Sequence, residues 1–214
     1  QNPQLEADDL IAGWIQTHPN DDHVIISTDS DFVQLIAPNV RQYNGVMETT
    51  ITHEGILDKK GKRVIDKKTN AAKDVPNPEW LLFEKCMRGD PTDNVFSAYP
   101  KVRKNKLEEA FNDRSNRGFA WNNMMLQRWV DHNEVEHRVK DDYERNRVLI
   151  DLTAQPQEIK DLVDARIKEG VRTTTIPQVG IHFMKFCGKY ELTKISEQAE
   201  TYAKWLNSPY QGSL

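Results

Sequence analysis

Residues 24–32 read Val-Ile-Ile-Ser-Thr-Asp-Ser-Asp-Phe, a β-branched run that leads directly into two aspartates. The apolar run 24–26 predicts a strand buried on both faces of a parallel sheet. If the extended backbone continues, Asp29 and Asp31 point to the same side, because alternate residues of a strand share a face. Two carboxylates at one strand end repel each other, so the pattern suggests a divalent metal. Ligands of open α/β sheets also bind at the carboxyl ends of strands.

Two further acidic clusters flank this stretch: residues 6–9 read Glu-Ala-Asp-Asp, and residues 89–94 read Gly-Asp-Pro-Thr-Asp-Asn. On a helix Glu6 and Asp9 share a face, whereas Asp8 points elsewhere unless it lies in the cap. We interpret the three clusters as converging on one metal site. Taken singly, the acids of 6–9 also suit the first turn of a helix, and Asp90 also suits a helix cap.

The composition is that of a polar, soluble, globular chain. It has 214 residues, of which 37% are hydrophobic and 29% charged, enough for one large domain or two small ones. The sequence contains no apolar run of membrane-spanning length and nothing that resembles a signal peptide, and Cys86 and Cys187 lack metal-ligand spacing. We therefore expect a reduced, cytoplasmic protein with no membrane partner. The net charge of −4 argues against a uniformly basic nucleic-acid surface, but it is compatible with a local basic face.

The order of elements predicts an α/β fold: a helix after the first acids, the strand 24–26, a short helix, and a strand at 40–44. Two further strands, 47–52 and 62–66, predict a small hairpin. The Pro-Asn-Pro break at 76–78 suggests a boundary that divides the chain into 1–77 and 78–214. The second part is predicted to be mostly helical, with helices at 79–88, 105–112, 119–131, 141–149, 157–169, 178–188 and 194–207. Residues 172–175 are interpreted as a polar connector and 208–214 as a frayed tail.

The three acidic motifs together resemble those of the 5′-nuclease, or flap endonuclease, superfamily. They are Glu-Ala-Asp-Asp at 6–9, Asp-Ser-Asp-Phe-Val-Gln-Leu at 29–35 and Gly-Asp-Pro-Thr-Asp-Asn-Val at 89–95, in that order. Within the superfamily the chain is most similar to the ribonuclease H (5′ to 3′ nuclease) branch of T-even-type bacteriophages. Two stretches favour that branch: residues 96–103, which replace a glycine-rich turn found in most cellular members, and Asn-Arg-Val-Leu-Ile-Asp at 146–151.

The resemblance implies a fold with two parts. Residues 1–77 would be the C-terminal portion of a parallel-sheet, PIN-like nuclease core, and residues 78–214 a mostly helical DNA-binding region. The segment from Gly89 to Ala110 would be a helix-turn-helix-like element that grips duplex DNA. Family members begin with aspartate-bearing strands and a helical arch, and neither precedes Glu6 here. We therefore expect the chain to lack that N-terminal part and a share of the first metal site.

The resemblance also implies two Mg²⁺ or Mn²⁺ ions and a monovalent cation near residues 94–102. The motifs contain no histidine or cysteine, so hard oxygen ligands favour magnesium or manganese over zinc. The implied ligands of the first site are Glu6 and Asp8, with Asp9 in support; Asp29 lies between the sites, and Asp31, Asp90 and Asp93 serve the second. The implied catalytic residues are Asp8, Asp29, Asp31 and Asp93.

A basic cluster follows the third acidic motif directly. Lys101, Arg103, Lys104 and Lys106 are the residues expected to contact DNA phosphates, which would give salt-dependent binding without sequence preference. A solvated basic face is the alternative explanation of this charge run.

By resemblance, the chain is a structure-specific, two-metal 5′ to 3′ nuclease acting on flap or nicked DNA and on RNA primers during DNA replication. Its implied partners are branched or nicked duplex DNA, RNA–DNA hybrids and replication proteins such as single-stranded DNA-binding protein. We expect a monomer, in the host-cell cytoplasm if the protein is encoded by a phage. Two alternatives stay open: a catalytically impaired, duplex-DNA-binding fragment of such a nuclease, and a PIN-type ribonuclease. The long helical region after Asp93 argues against the second.

Overall fold

The computed structural model describes residues 4–170 and 177–207. The chain divides into two compact units, Gln1–Lys168 and Glu169–Leu214. None of the helices in the described ranges is both long and apolar enough to cross a membrane. The connector expected at 172–175 and the tail expected at 208–214 lie outside the described residues.

A mixed four-stranded sheet opens the first unit, so the α/β class is confirmed. Its elements are α1 (Ala7–Thr17), β1 (His23–Ile26), a 3-10 helix (Ser30–Leu35), β2 (Val40–Asn44), β3 (Thr49–Ile51) and β4 (Ile56–Leu57). The strand order is β1-β2-β3-β4, with β1 parallel to β2 and the other two pairs antiparallel. The expected parallel sheet is therefore correct only for β1 and β2 among the described strands.

The turn between β2 and β3 explains this difference. Asn44 Oδ1 accepts hydrogen bonds from the backbone N–H groups of Val46 (3.1 Å) and Met47 (2.9 Å), which makes a tight reversal. So short a connection returns the chain antiparallel, because a parallel pair needs a crossover of a dozen or more residues.

Strand β1 packs on the core with one face. Ile25 is buried beside Ala12 of α1, whereas Val24 and Ile26 are 47% and 78% exposed. The prediction of a strand buried on both faces is therefore wrong for the described structure. Val24 and Ile26 alternate with the buried residues, so they lie on the face of the sheet opposite α1.

The predicted hairpin of 47–52 with 62–66 is also wrong. Strand β3 pairs instead with β4, and the segment 62–66 makes only isolated bridges, Leu57 with Arg63 and Ile65 with Ala72. Asp58 Oδ1 accepts from the N–H groups of Lys60 and Lys62 and closes a turn there. This turn returns the chain beside β4, so Arg63 bridges to Leu57 and the segment 62–66 does not reach β3.

Helices make up the rest of the first unit, together with one small hairpin. They are α2 (Pro78–Arg88), a 3-10 helix (Pro91–Asp93), α3 (Lys104–Asp113), α4 (Phe119–Leu126), β5 (Arg128–Val130), β6 (Glu136–Arg138), α5 (Val139–Ile150) and α6 (Gln157–Gly170). The helix predicted over 119–131 ends at Leu126, and the next residues form β5. Trp129 explains the early end, because its indole N–H donates to Ala98 O (3.0 Å) and its ring stacks on His137.

An aromatic cluster forms the core of this helical part. Phe83 of α2 packs against Phe111, Trp121 and Tyr143, which come from three different helices. Helix α2 also packs against the 3-10 helix that follows β1, so the Pro-Asn-Pro break at 76–78 lies inside the first unit. A domain division at that break stays a prediction.

In the second unit the described helices are α7 (Val179–Lys189), α8 (Thr193–Ser196) and α9 (Ala199–Asn207). Helices α7 and α9 pack together, with the rings of Phe183 and Tyr202 6.2 Å apart. The helix predicted over 194–207 is thus two shorter helices.

Candidate metal centre

The loop 89–95 is closed by the backbone. Asp90 N–H donates to Val95 O and Val95 N–H donates to Asp90 O, both at 2.8 Å. Gly89 has a φ of +76°, and a Cβ there would lie 2.3 Å from Val95 O. Glycine is therefore required at this position, and the loop presents the acids of the third motif from a defined backbone.

Asp90 both caps a helix and belongs to an ion pair. Its Oδ1 accepts from the Thr92 backbone N–H (2.9 Å) and hydroxyl (2.5 Å) at the start of the 3-10 helix Pro91–Asp93. Its Oδ2 lies 2.6 Å from Lys85 Nζ. The hydrogen bonds from Lys85 and Thr92 hold the pKa of Asp90 well below its usual range. Asp90 thus stays ionised.

Three carboxylates of the second and third motifs come together here. One oxygen from each of Asp31, Asp90 and Asp93 lies within 4.8 Å of the others, close enough for all three to hold one ion. Burial, followed by the charge of Asp90, raises the pKa of Asp93. A group of like charges that are partly removed from water needs a cation, and carboxylate oxygens suit magnesium, manganese or calcium.

Lys85, which the sequence analysis missed, supplies a cation to this group. Its Nζ lies 2.5 Å from Asp31 Oδ1 and 2.6 Å from Asp90 Oδ2. Burial opposes the charged form, but the hydrogen bonds to these two aspartates outweigh it, so the pKa of Lys85 is raised. The ammonium thus shows that a positive charge fits between the carboxylates. Its place in the last turn of α2, just before the acidic loop, is the only signal of this role in the sequence.

The first motif starts α1, and its members have different partners. Asp9 Oδ2 accepts from the Glu6 N–H (3.0 Å) and Asp9 Oδ1 accepts from Gln155 Nε2 (2.7 Å). The interpretation as an acid of the first helical turn is therefore right for Asp9. Burial raises the pKa of Asp8, and the charges of Asp29, Glu6, Asp31 and Asp9 raise it further. Asp8 thus faces the other acids.

Asp29 lies where β1 has already ended. It caps the 3-10 helix Ser30–Leu35, with its Oδ1 accepting from the Asp31 N–H at 2.9 Å. The backbone does not stay extended, so the expectation that Asp29 and Asp31 share a strand face is wrong. Asp29 is nevertheless close enough to Asp8 to raise the pKa of that carboxyl.

A cavity of about 370 Å³ brings together acids from all three motifs. The motif acids that line it are Glu6, Asp8, Asp9, Asp31 and Asp93. The other two predicted ligands, Asp29 and Asp90, contact members of this set rather than the cavity itself. Together the seven residues form the candidate metal centre, and their individual metal roles stay predictions.

Buried amide side chains support the backbone of these motifs, and the sequence analysis missed them. Gln42 Nε2 donates to Ser27 O (3.0 Å) and Asp29 O (2.6 Å), which fixes the chain after β1. Asn146 Nδ2 donates to Cys86 O (2.9 Å) and Phe96 O (2.7 Å), which ties α2 to the end of the acidic loop. Each amide therefore holds a segment that carries a predicted metal ligand.

The basic cluster is exposed at the start of α3. Lys104 pairs with Glu108 (3.8 Å) and Lys106 with Glu109 (2.7 Å) on the same helix. Lys101 and Arg103 form no ion pair with any residue that the structure describes. Two side chains of the cluster, Lys104 and Lys106, are therefore paired with glutamates of α3. Lys101 and Arg103 are available to bind another anion. Binding of DNA here stays a prediction, as does a helix-turn-helix-like role for the segment.

The known proteins that the chain resembles match it over only part of its length. The chain matches no protein-family model. It is 33% identical over 93 residues to the DNA polymerase I of Rhizobium leguminosarum, a match that spans 42% of this chain and 8% of the polymerase. Among solved structures it is similar to a mutant of the T5 5′-exonuclease, at 18% identity and a TM-score of 0.47, over 77% of this chain and 66% of the other. A bacteriophage T5 flap endonuclease in a pseudo-enzyme-product complex with DNA and metal ions gives 18% identity and a TM-score of 0.46, over 77% and 59%.

Proposed function

We propose that this chain carries the metal centre of a 5′ to 3′ nuclease that hydrolyses phosphodiester bonds. One observation carries the proposal: acids from three separate motifs line one cavity, and three of their carboxylates lie within 4.8 Å of one another. Helix caps and surface ion pairs explain single acids, but they give no reason for this convergence. Sites that hold two divalent ions are typical of enzymes that cleave phosphodiesters.

The residues of the centre have distinct roles in this proposal. Asp31, Asp90 and Asp93 would hold one Mg²⁺ or Mn²⁺, and Glu6 and Asp8, with Asp29 between the sites, would contribute to a second. When bound, these ions would activate water and neutralise charge on the phosphate. Asp9 orients the start of α1 through its two hydrogen bonds. Lys85, which pairs with Asp31 and Asp90, would give way to the ion at these two carboxylates.

The proposed substrates are flap or nicked duplex DNA and RNA primers in RNA–DNA hybrids, cleaved during replication. The partial match to a DNA polymerase I fits a DNA substrate, and the exposed basic cluster offers contacts to phosphates. We include a monovalent cation near residues 94–102, a monomeric state, contacts with single-stranded DNA-binding protein, and a cytoplasmic location in the same proposal. The chain is proposed to be related to the ribonuclease H branch of T-even-type bacteriophages.

The test is cleavage of a 5′-labelled flap duplex in the presence of Mg²⁺ or Mn²⁺. The parent chain is compared with Asp93→Asn and with Asp161→Asn, a control at an exposed acid on α6. We expect cleavage by the parent and the control, and loss of cleavage in Asp93→Asn. Equal cleavage by all three would contradict the proposal. Retained duplex binding without any cleavage would favour the impaired fragment, and a preference for single-stranded RNA would favour a PIN-type ribonuclease.

A further inference from the structure

A second cavity, of about 530 Å³, lies apart from the acidic centre, between α3 and α4. Its lining combines the basic side chains of Lys101, Arg103 and Lys106 with the ring of Phe119. The volume is within the range of small-molecule sites. We call these four residues and the space between them the α3–α4 groove.

Phe119 is the unusual member of the groove because its side chain is 85% exposed. The core does not lack aromatic residues, since Trp121 of the same helix packs against it. Phe119 is also firmly placed. Asp113 Oδ2 accepts from the N–H groups of Ala120 (2.8 Å) and Trp121 (3.3 Å) and so caps the first turn of α4. A Phe ring held in solvent beside cations offers a flat apolar surface to a ligand.

The charges of the groove favour an anionic ligand. Lys106 is engaged with Glu109, which also lines the cavity, whereas Lys101 and Arg103 are exposed and form no ion pair within the described part of the chain. Two unpaired cations beside an exposed ring match a phosphate next to a flat base. Proteins that bind single strands use this combination of a basic groove and stacking aromatics.

We propose that the α3–α4 groove binds an unpaired nucleotide of a single-stranded nucleic acid. The base stacks on the ring of Phe119, and Lys101 and Arg103 contact the flanking phosphates. A base inside a duplex has both faces covered by its neighbours, so the exposed ring favours an unpaired strand over duplex DNA. This inference deepens the proposed nuclease function. That the bound strand is part of a branched substrate rests on that proposed function.

The test measures binding of a fluorescent oligothymidylate and of an abasic strand of equal length, in EDTA so that the acidic centre holds no metal. The variants are Phe119→Ala, Phe119→Trp and Phe96→Ala. Phe96 is a matched control because its side chain is 77% exposed and lies outside the groove. Since Phe119 is exposed, its variants should keep the parent's thermal unfolding, and circular dichroism checks this.

We expect the parent to bind the thymidine strand about tenfold more tightly than the abasic strand. Phe119→Ala should lose this preference, while Phe119→Trp and Phe96→Ala should keep it. Lys101→Gln should keep the preference but weaken binding to both strands, with the salt-dependence slope smaller by about 0.7. The matched control Lys168→Gln, at an exposed residue of α6, should leave the slope unchanged.

Equal binding of the two strands by the parent, or an unchanged preference in Phe119→Ala, would overturn the proposal. Loss of the preference in both Phe119→Ala and Phe96→Ala would do the same, because the effect would then not belong to the groove. The result of this binding test does not depend on whether the chain cleaves DNA. A chain that binds as expected but does not cleave flaps refutes the nuclease proposal alone, and a chain that cleaves without base preference refutes the groove alone.

Discussion

The ammonium of Lys85 lies 2.5 Å from Asp31 Oδ1, across 54 residues of sequence. The pair joins α2 to the 3-10 helix that follows β1. The same ammonium lies 2.6 Å from Asp90 Oδ2. Lys85 therefore offsets repulsion among the carboxylates of the candidate metal centre, in the place where a divalent ion would do the same.

Replacing Lys85 with methionine should make the stability of the folded protein more dependent on a bound divalent ion. Without divalent ions, Lys85→Met should lower the free energy of unfolding by about 1–3 kcal/mol, because charge-assisted hydrogen bonds to two carboxylates are lost. Added Mg²⁺ should then stabilise the variant more than the parent, since the ion no longer competes with the ammonium. Thermal unfolding with and without Mg²⁺ measures both effects.

Lys140→Met is the control for that experiment. Lys140 pairs with Glu144 one turn along the exposed side of α5, so its loss should change the free energy of unfolding by less than about 0.5 kcal/mol. An equal response to Mg²⁺ in Lys85→Met and in the parent would show that Lys85 does not occupy the cation's place.

Asn146→Leu should destabilise the first unit. The buried amide donates to two backbone carbonyls, Cys86 O and Phe96 O, and leucine leaves both without that donor. We expect a loss of about 1–3 kcal/mol in urea unfolding. Asn112→Leu on the exposed side of α3 should cost less than about 0.5 kcal/mol. Similar losses at the two positions would argue against a specific role of Asn146.

Two glycines should respond to alanine with opposite signs. In Gly89→Ala the new methyl group would meet Val95 O and the backbone would keep an unfavourable positive φ, so we expect a loss of more than about 1 kcal/mol and a disturbed acidic loop. Gly188 lies inside α7, where a Cβ meets nothing within 4 Å. Gly188→Ala should therefore raise the free energy of unfolding by about 0.5–1 kcal/mol. Calorimetry of both variants tests this, and a stable Gly89→Ala would contradict the loop geometry.

The Cys86 thiol should be inert in the folded protein. Burial, and then the charge of Asp151, raise the pKa of Cys86 to about 12, which leaves about a thousandth of the thiolate of an ordinary cysteine near neutral pH. In a Cys187→Ala background, a thiol reagent should label the protein rapidly in denaturant and at least about a thousandfold more slowly without it. Rapid labelling of the folded protein would show that Cys86 is accessible.

Features set by neighbouring residues could be predicted from the sequence. The strand at 40–44 has the predicted bounds, and α2 begins within one residue of its predicted start because Asn77 caps it and Pro78 suits the first turn. The gathering of acids from three motifs into one cavity also follows the expectation, although the role of each acid stays untested.

Features that depend on tertiary partners could not be predicted. The place of Lys85 just before the acidic loop does not indicate that it reaches Asp31, and nothing around Gln42 indicates that it holds the carbonyl of Asp29. The pairing of β3 with β4, rather than with 62–66, is decided by the tight turn at 52–55, which the Thr52 hydroxyl closes. To predict any of these three features, one would need to know which residues separated in the sequence come into contact in the fold.

The most direct test of the metal centre is calorimetric titration of the parent chain with Mn²⁺, beside Asp93→Asn and Asp161→Asn. The geometry of Asp31, Asp90 and Asp93 predicts saturable binding in the parent, at least about tenfold weaker binding in Asp93→Asn because one of three ligands loses its charge, and unchanged binding in Asp161→Asn. An absence of saturable binding in the parent, or equal binding in all three proteins, would contradict the assignment of this cluster as a metal centre.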